Sequence, residues 1–137
     1  HRVLHLSIRR QRQMCIRDSP GLPDQVRWLY RVADTTGRPW AVAVLVWIIV
    51  VEELLWRGAL FKVLSARTSM PLAVAGSVAT YVLVQVGAGS WVVPVIALVC
   101  GLFWNLQRVW TAGLVAPLLT HLIWDLAVLV WWPLEPR

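Results

Sequence analysis

The chain has 137 residues, of which 58% are apolar and 15% charged, with a mean hydropathy of +0.64. Those values exclude a disordered tail, a disulfide scaffold and an ordinary cytosolic enzyme. The net charge of +6 does not indicate nucleic acid either. Arg2, Arg9, Arg10, Arg12 and Arg17 all fall within the first nineteen positions, and the rest of the chain carries only about +2, too little for a basic face against phosphates. The expected solvent is the lipid bilayer, and nucleic acid is not an expected partner.

In chain order, Gln13-Met14-Cys15-Ile16-Arg17-Asp18-Ser19 resembles the translation of a transposon mosaic-end sequencing adapter. Residues 1–19 are therefore expected to be a non-native scar rather than a basic arm at a membrane surface, with native sequence resuming near Pro20 and an earlier N-terminal part missing. Residues 20–39 form a juxtamembrane lead, in which 25–33 suit a short interfacial helix and Pro39 suits a first helical turn. Four long apolar segments come next, at 40–64, 71–86, 91–107 and 111–132, and 133–137 is a short tail. From Thr68 through Gln107 no Asp, Glu, Lys or Arg occurs, enough chain to cross a ~30 Å hydrocarbon layer twice. None of these segments alternates with period two, so a barrel is not expected. The fold class expected is all-α, a multi-pass transmembrane bundle of four spans whose short connections make consecutive helices antiparallel. Trp40, Trp91, Trp110, Trp131 and Trp132 lie near span ends, where an interfacial aromatic belt belongs. Orientation is not legible, because Lys62, Arg67 and Arg108 share one side while Arg27, Arg31, Arg38 and Arg137 fall on the other. Cys15 and Cys100 imply no disulfide.

An ionised side chain in hydrocarbon costs ~2.5 kcal/mol or more, so such residues normally face a bundle interior and have a role. The set here is Glu52, Glu53, Arg57, Gln85, His121 and Asp125. At ~1.5 Å of rise per residue, and counting from the side of the 65–70 loop, Glu52 lies ~18 Å deep, Gln85 ~21 Å, His121 ~15 Å and Asp125 ~21 Å. Four polar residues from three helices thus share one layer. Glu53 and Arg57 are i,i+4, as are His121 and Asp125, so each pair shares a helix face. Glu52 is rotated about 100° from Glu53, so one carboxylate can be neutralised while the other serves as general base toward water. The residues alone leave a second reading open, in which these pairs only lock helices together and His121 is a hydrogen-bonded core residue.

Glu52-Glu53-Leu54-Leu55-Trp56-Arg57-Gly58 resembles the EExxxRG motif of the CAAX-protease and bacteriocin-processing family of intramembrane endopeptidases. His121-Leu122-Ile123-Trp124-Asp125 resembles its third motif in the HxxxD form, and the resemblance covers residues 40 to 132. It implies an intramembrane endopeptidase in which Glu52 activates the attacking water. Glu53 and Arg57 would hold the first-helix geometry, and His121 and Asp125 would position the peptide or stabilise the oxyanion. The implied location is a bacterial plasma membrane and the implied partner a membrane-associated peptide. Members of the family act in CAAX processing, bacteriocin maturation and immunity, and abortive infection. At the second motif, FxxxH, this chain reads Tyr81-Val82-Leu83-Val84-Gln85, with Gln85 in place of the histidine. Zinc, for which Glu52 and His121 would be the ligands, is thereby disfavoured, since one imidazole remains against the three protein ligands usual at catalytic zinc. The alternative function is a weak or inactive relative that binds a peptide or partner membrane protein. A transporter fragment with a carboxylate relay fits the composition but not the motifs.

Overall fold

The computed structural model describes residues 39–131 continuously, together with Gly21, residues 24–27 and Tyr30. Residues 1–19, most of the 20–39 lead and the 133–137 tail lie outside the described residues; residues 24–27 are helical, and most of the helix expected at 25–33 falls outside the described residues.

All regular structure among the described residues is helical. The first rod comprises α1 (Pro39–Glu52), π1 (Glu53–Leu60) and α2 (Phe61–Ser65). It is followed by α3 (Met70–Val86), α4 (Val92–Thr111), and a last rod of α5 (Val115–Leu126) and π2 (Ala127–Trp131). Pro39 opens α1, where its missing N–H and fixed φ cost nothing. Pro71 plays the same part in the first turn of α3.

The third rod runs on to Thr111, past the break expected at 108–110. Arg108 does not end it, because its Nε donates to the Arg57 carbonyl at 3.2 Å and its guanidinium lies 5.6 Å from the centre of the Phe61 ring. The chain instead reverses at Ala112, which takes up the left-handed conformation with φ 50°. The fourth rod accordingly starts at Val115 rather than 111.

Consecutive rods pack against each other, and the last returns to the first. Their register is antiparallel. Glu52 meets Gln85 while Trp56 meets Ser77 across the first pair, and Gln107 meets Thr120 across the last. The closed ring of four rods buries few apolar side chains, chiefly Ile49, Phe61, Ala73, Val78, Tyr81, Ala97 and Trp104, whereas Trp47, Leu83, Val99, Trp110 and Val115 are exposed. The interior is more polar than the exterior, with Glu53, Arg57, Ser77, Asn105 and His121 all buried. Val92–Thr111 is long and apolar enough to cross a membrane by length and composition; Met70–Val86 and Val115–Trp131 are apolar but shorter.

Candidate functional site

The site is built on the junction between α1 and π1. A π turn widens the helix and is frequently found where function requires it. Here its carbonyls serve neighbouring rods: Ser77 Oγ on α3 donates to the Trp56 carbonyl at 3.1 Å, and Arg108 on α4 donates to that of Arg57. Glu52 is the last residue of α1 and Glu53 the first of π1, so the two carboxylates diverge from a single point in the chain.

Glu53 points into the bundle. Its Oε1 accepts from Arg57 Nη1 at 3.0 Å and lies 2.8 Å from His121 Nδ1 on α5. Both sides of the ion pair are sealed from solvent, Glu53 being 1% exposed and Arg57 0%. A bare ion pair at such depth would be costly. Arg57 is further covered by aromatic faces, with its guanidinium carbon 4.6 Å from the Tyr81 ring centre and 5.1 Å from that of Trp104. Trp104 also stacks on His121, with centroids 3.7 Å apart and planes inclined by 21°. His121 Nε2 faces Asp125 Oδ2 at 3.5 Å. Asp125 keeps a quarter of its side chain exposed, and so forms the open end of the chain Arg57–Glu53–His121–Asp125.

Glu52 faces the other way and is half-buried. Tyr81 Oη donates to its Oε2 and Gln85 Nε2 donates to its Oε1, each at 3.3 Å. Both donors are neutral. The structure therefore brings all six sequence-selected residues together, in two groups: Glu52 with Gln85, and Glu53 with Arg57, His121 and Asp125.

Four further residues, to which sequence reasoning gave no role, shape the site. Tyr81 bonds Glu52, and Trp104 stacks on His121. Gly101 lets α4 approach so closely that a Cβ there would lie 3.0 Å from Tyr81 Cδ1 and 3.6 Å from Arg57 Nη2. Asn105, fully buried one turn later, donates to the Gly101 carbonyl at 2.8 Å. Of these, Tyr81 had a visible sign, as the aromatic residue of the second motif, and Asn105 had one as a polar residue in an apolar run.

Among the described residues no three His, Cys, Asp or Glu side chains converge as a metal site would require. His121, the one imidazole there, already has Nδ1 engaged by Glu53. The donor set does not fit a catalytic zinc held by three protein ligands.

The bundle thus gathers its charged side chains at the centre and carries apolar ones outside. The profile of the family described as type II CAAX prenyl endopeptidase Rce1-like matches residues 35–127. The chain belongs to this family. No curated protein and no solved structure gives a match.

Proposed function

We propose that the protein is an intramembrane endopeptidase that hydrolyses a peptide bond of a membrane-associated substrate with a glutamate-activated water. The observation that carries this reading is the division between the two adjacent carboxylates. Glu53 is committed to Arg57 and His121, while Glu52 is half-buried and held only by neutral donors. A carboxylate that makes no direct ion pair keeps its oxygens open to a water, as a general base needs.

In this reaction Glu52 takes a proton from water as the oxygen adds to the scissile carbonyl carbon. The resulting tetrahedral oxyanion collapses with cleavage of the C–N bond, and the proton held by Glu52 passes to the leaving amine. His121 has Nδ1 occupied, so Nε2, beside Asp125, is the atom that meets substrate, either orienting the peptide or stabilising the oxyanion. Glu53 and Arg57 keep His121 and the π turn in place.

The same reading makes the chain a multi-pass protein of a bacterial plasma membrane, with the four rods as spans and residues 40–132 as the core. The exposed Trp, Leu and Val side chains then contact lipid rather than water. Residues 1–19 belong to no part of that reading, and deleting them should leave helicity and thermal stability in detergent unchanged. The second reading is a relative that binds a peptide or partner protein without cleaving it. It is favoured by Gln85, an amide that cannot carry a proton at neutral pH. Incubating the purified protein in liposomes with a panel of membrane-anchored peptides separates the two: cleavage that requires Glu52 supports the first, binding without cleavage the second.

A further inference from the structure

Tyr81 joins the two halves of the site, and its position in the cluster gives it a role that packing alone does not explain. Tyr81 and Gln85 are one helical turn apart on α3 and face the same way. Each donates to a different oxygen of Glu52, at 3.3 Å in both cases. An ionised carboxylate offers about four lone-pair directions, so this two-point attachment fixes its plane and leaves the remaining directions for a water.

The tyrosine ring is held by contacts that do not involve Glu52. Arg57 lies over one face with its guanidinium carbon 4.6 Å from the centroid, Trp56 tilts against it at 5.9 Å, and the missing side chain of Gly101 admits its Cδ1 edge to α4. The ring is 5% exposed. The hydroxyl is therefore placed by the packing of the ring, and the hydroxyl in turn places Glu52. Both residues at which the chain departs from the FxxxH pattern are the two that touch this carboxylate.

We infer that Tyr81 is a positioning residue, which acts with Gln85 as a pair of neutral donors to fix Glu52 while its ring ties that carboxylate to the buried Arg57–Glu53–His121 group. The kinetic part of this inference rests on the peptidase reading; the structural part does not.

Tyr81→Phe keeps every ring contact and removes only the hydroxyl. Its melting temperature should match wild type, with kcat about 10-fold lower and KM within about twofold, because the lost hydrogen bond is to a charged group that acts in the chemical step. Gln85→Leu should give a similar loss of kcat. The double variant should lose much less than the product of the two, since a carboxylate released at one oxygen is already free to rotate.

An infrared readout needs no activity. The difference spectrum between wild type and Glu52→Gln isolates the Glu52 carboxylate stretch, and that band should shift when the same difference is taken in the Tyr81→Phe background. An unshifted band overturns the inference, as does a shifted band with unchanged kcat in an active enzyme, or strictly multiplicative losses in the double variant. A band that shifts in a protein that cleaves no peptide at all upholds the contact between Tyr81 and Glu52 and refutes the peptidase reading instead.

Discussion

Glu53 Oε1 lies 2.8 Å from His121 Nδ1, joining the first rod to the last across 68 positions of sequence. The same oxygen takes Arg57 Nη1 at 3.0 Å. One carboxylate oxygen thus gathers a cation from its own helix and an imidazole from another, all sealed from solvent. In the proposed reaction Glu53 accordingly has the structural part and the neighbouring Glu52 the chemical one.

Removing Arg57 should therefore act on stability. Arg57→Ala leaves Glu53 buried without its cation and empties the space between the Tyr81 and Trp104 rings. We expect a loss of roughly 3–5 kcal/mol, read as a lowered unfolding midpoint in detergent. An unfolding midpoint equal to that of wild type would show that the buried pair does not hold the bundle together.

Gly101 sets the separation of α3 and α4 at the level of Tyr81. Gly101→Leu puts side-chain atoms where Tyr81 Cδ1 and Arg57 Nη2 now lie, and overpacking of this kind costs about 1–3 kcal/mol. Because the displaced ring carries the hydroxyl that holds Glu52, peptide cleavage should fall along with the melting temperature. A variant with full stability and activity would mean that the helices are not in close contact there.

The sequence made the layout of the bundle legible where its physics is local. Uninterrupted apolar runs and Pro or Gly breaks mark the rods, and the i,i+4 spacing of Glu53 with Arg57 and of His121 with Asp125 foretells contacts that the structure contains. Counting residues from one end gave a common depth for Glu52, Gln85, His121 and Asp125; in the structure Gln85 bonds Glu52, while His121 lies between Glu53 and Asp125. Depth, however, says nothing of rotation about the helix axis, so it could not tell which glutamate faces His121. The π turn that begins at Glu53 sets that rotation, and no residue in it announces a widened helix. Tyr81 was visible as the aromatic residue of the second motif, but its role and that of Trp104 were hidden for another reason: in an apolar run an aromatic residue reads as packing, and its hydroxyl or ring face gains a role only once a partner from a distant helix is known. Arg108 misled in the opposite direction, since a cation reads as the end of a span until it is seen to turn inward toward Arg57.

Gln85 offers a gain-of-function test. An imidazole at this position keeps a nitrogen donor toward Glu52 and adds a group able to carry a proton, a contribution that ranges over about 10²–10⁴-fold in general acid–base chemistry. Gln85→His should therefore raise peptide cleavage above wild type, measured as kcat/KM on the same membrane-anchored peptide. Lower activity in this variant would mean that the amide itself is required, as a ligand to substrate or water.

The central claim is that Glu52 is the general base, and Glu52→Gln tests it most directly. The substitution preserves size and the capacity to hydrogen-bond but removes the basic oxygen. Cleavage of a membrane-anchored peptide by the purified protein in liposomes should fall by about 100-fold or more, with the melting temperature in detergent unchanged because Glu52, unlike Glu53, holds no ion pair in the core. Cleavage at the wild-type rate in Glu52→Gln would contradict the account.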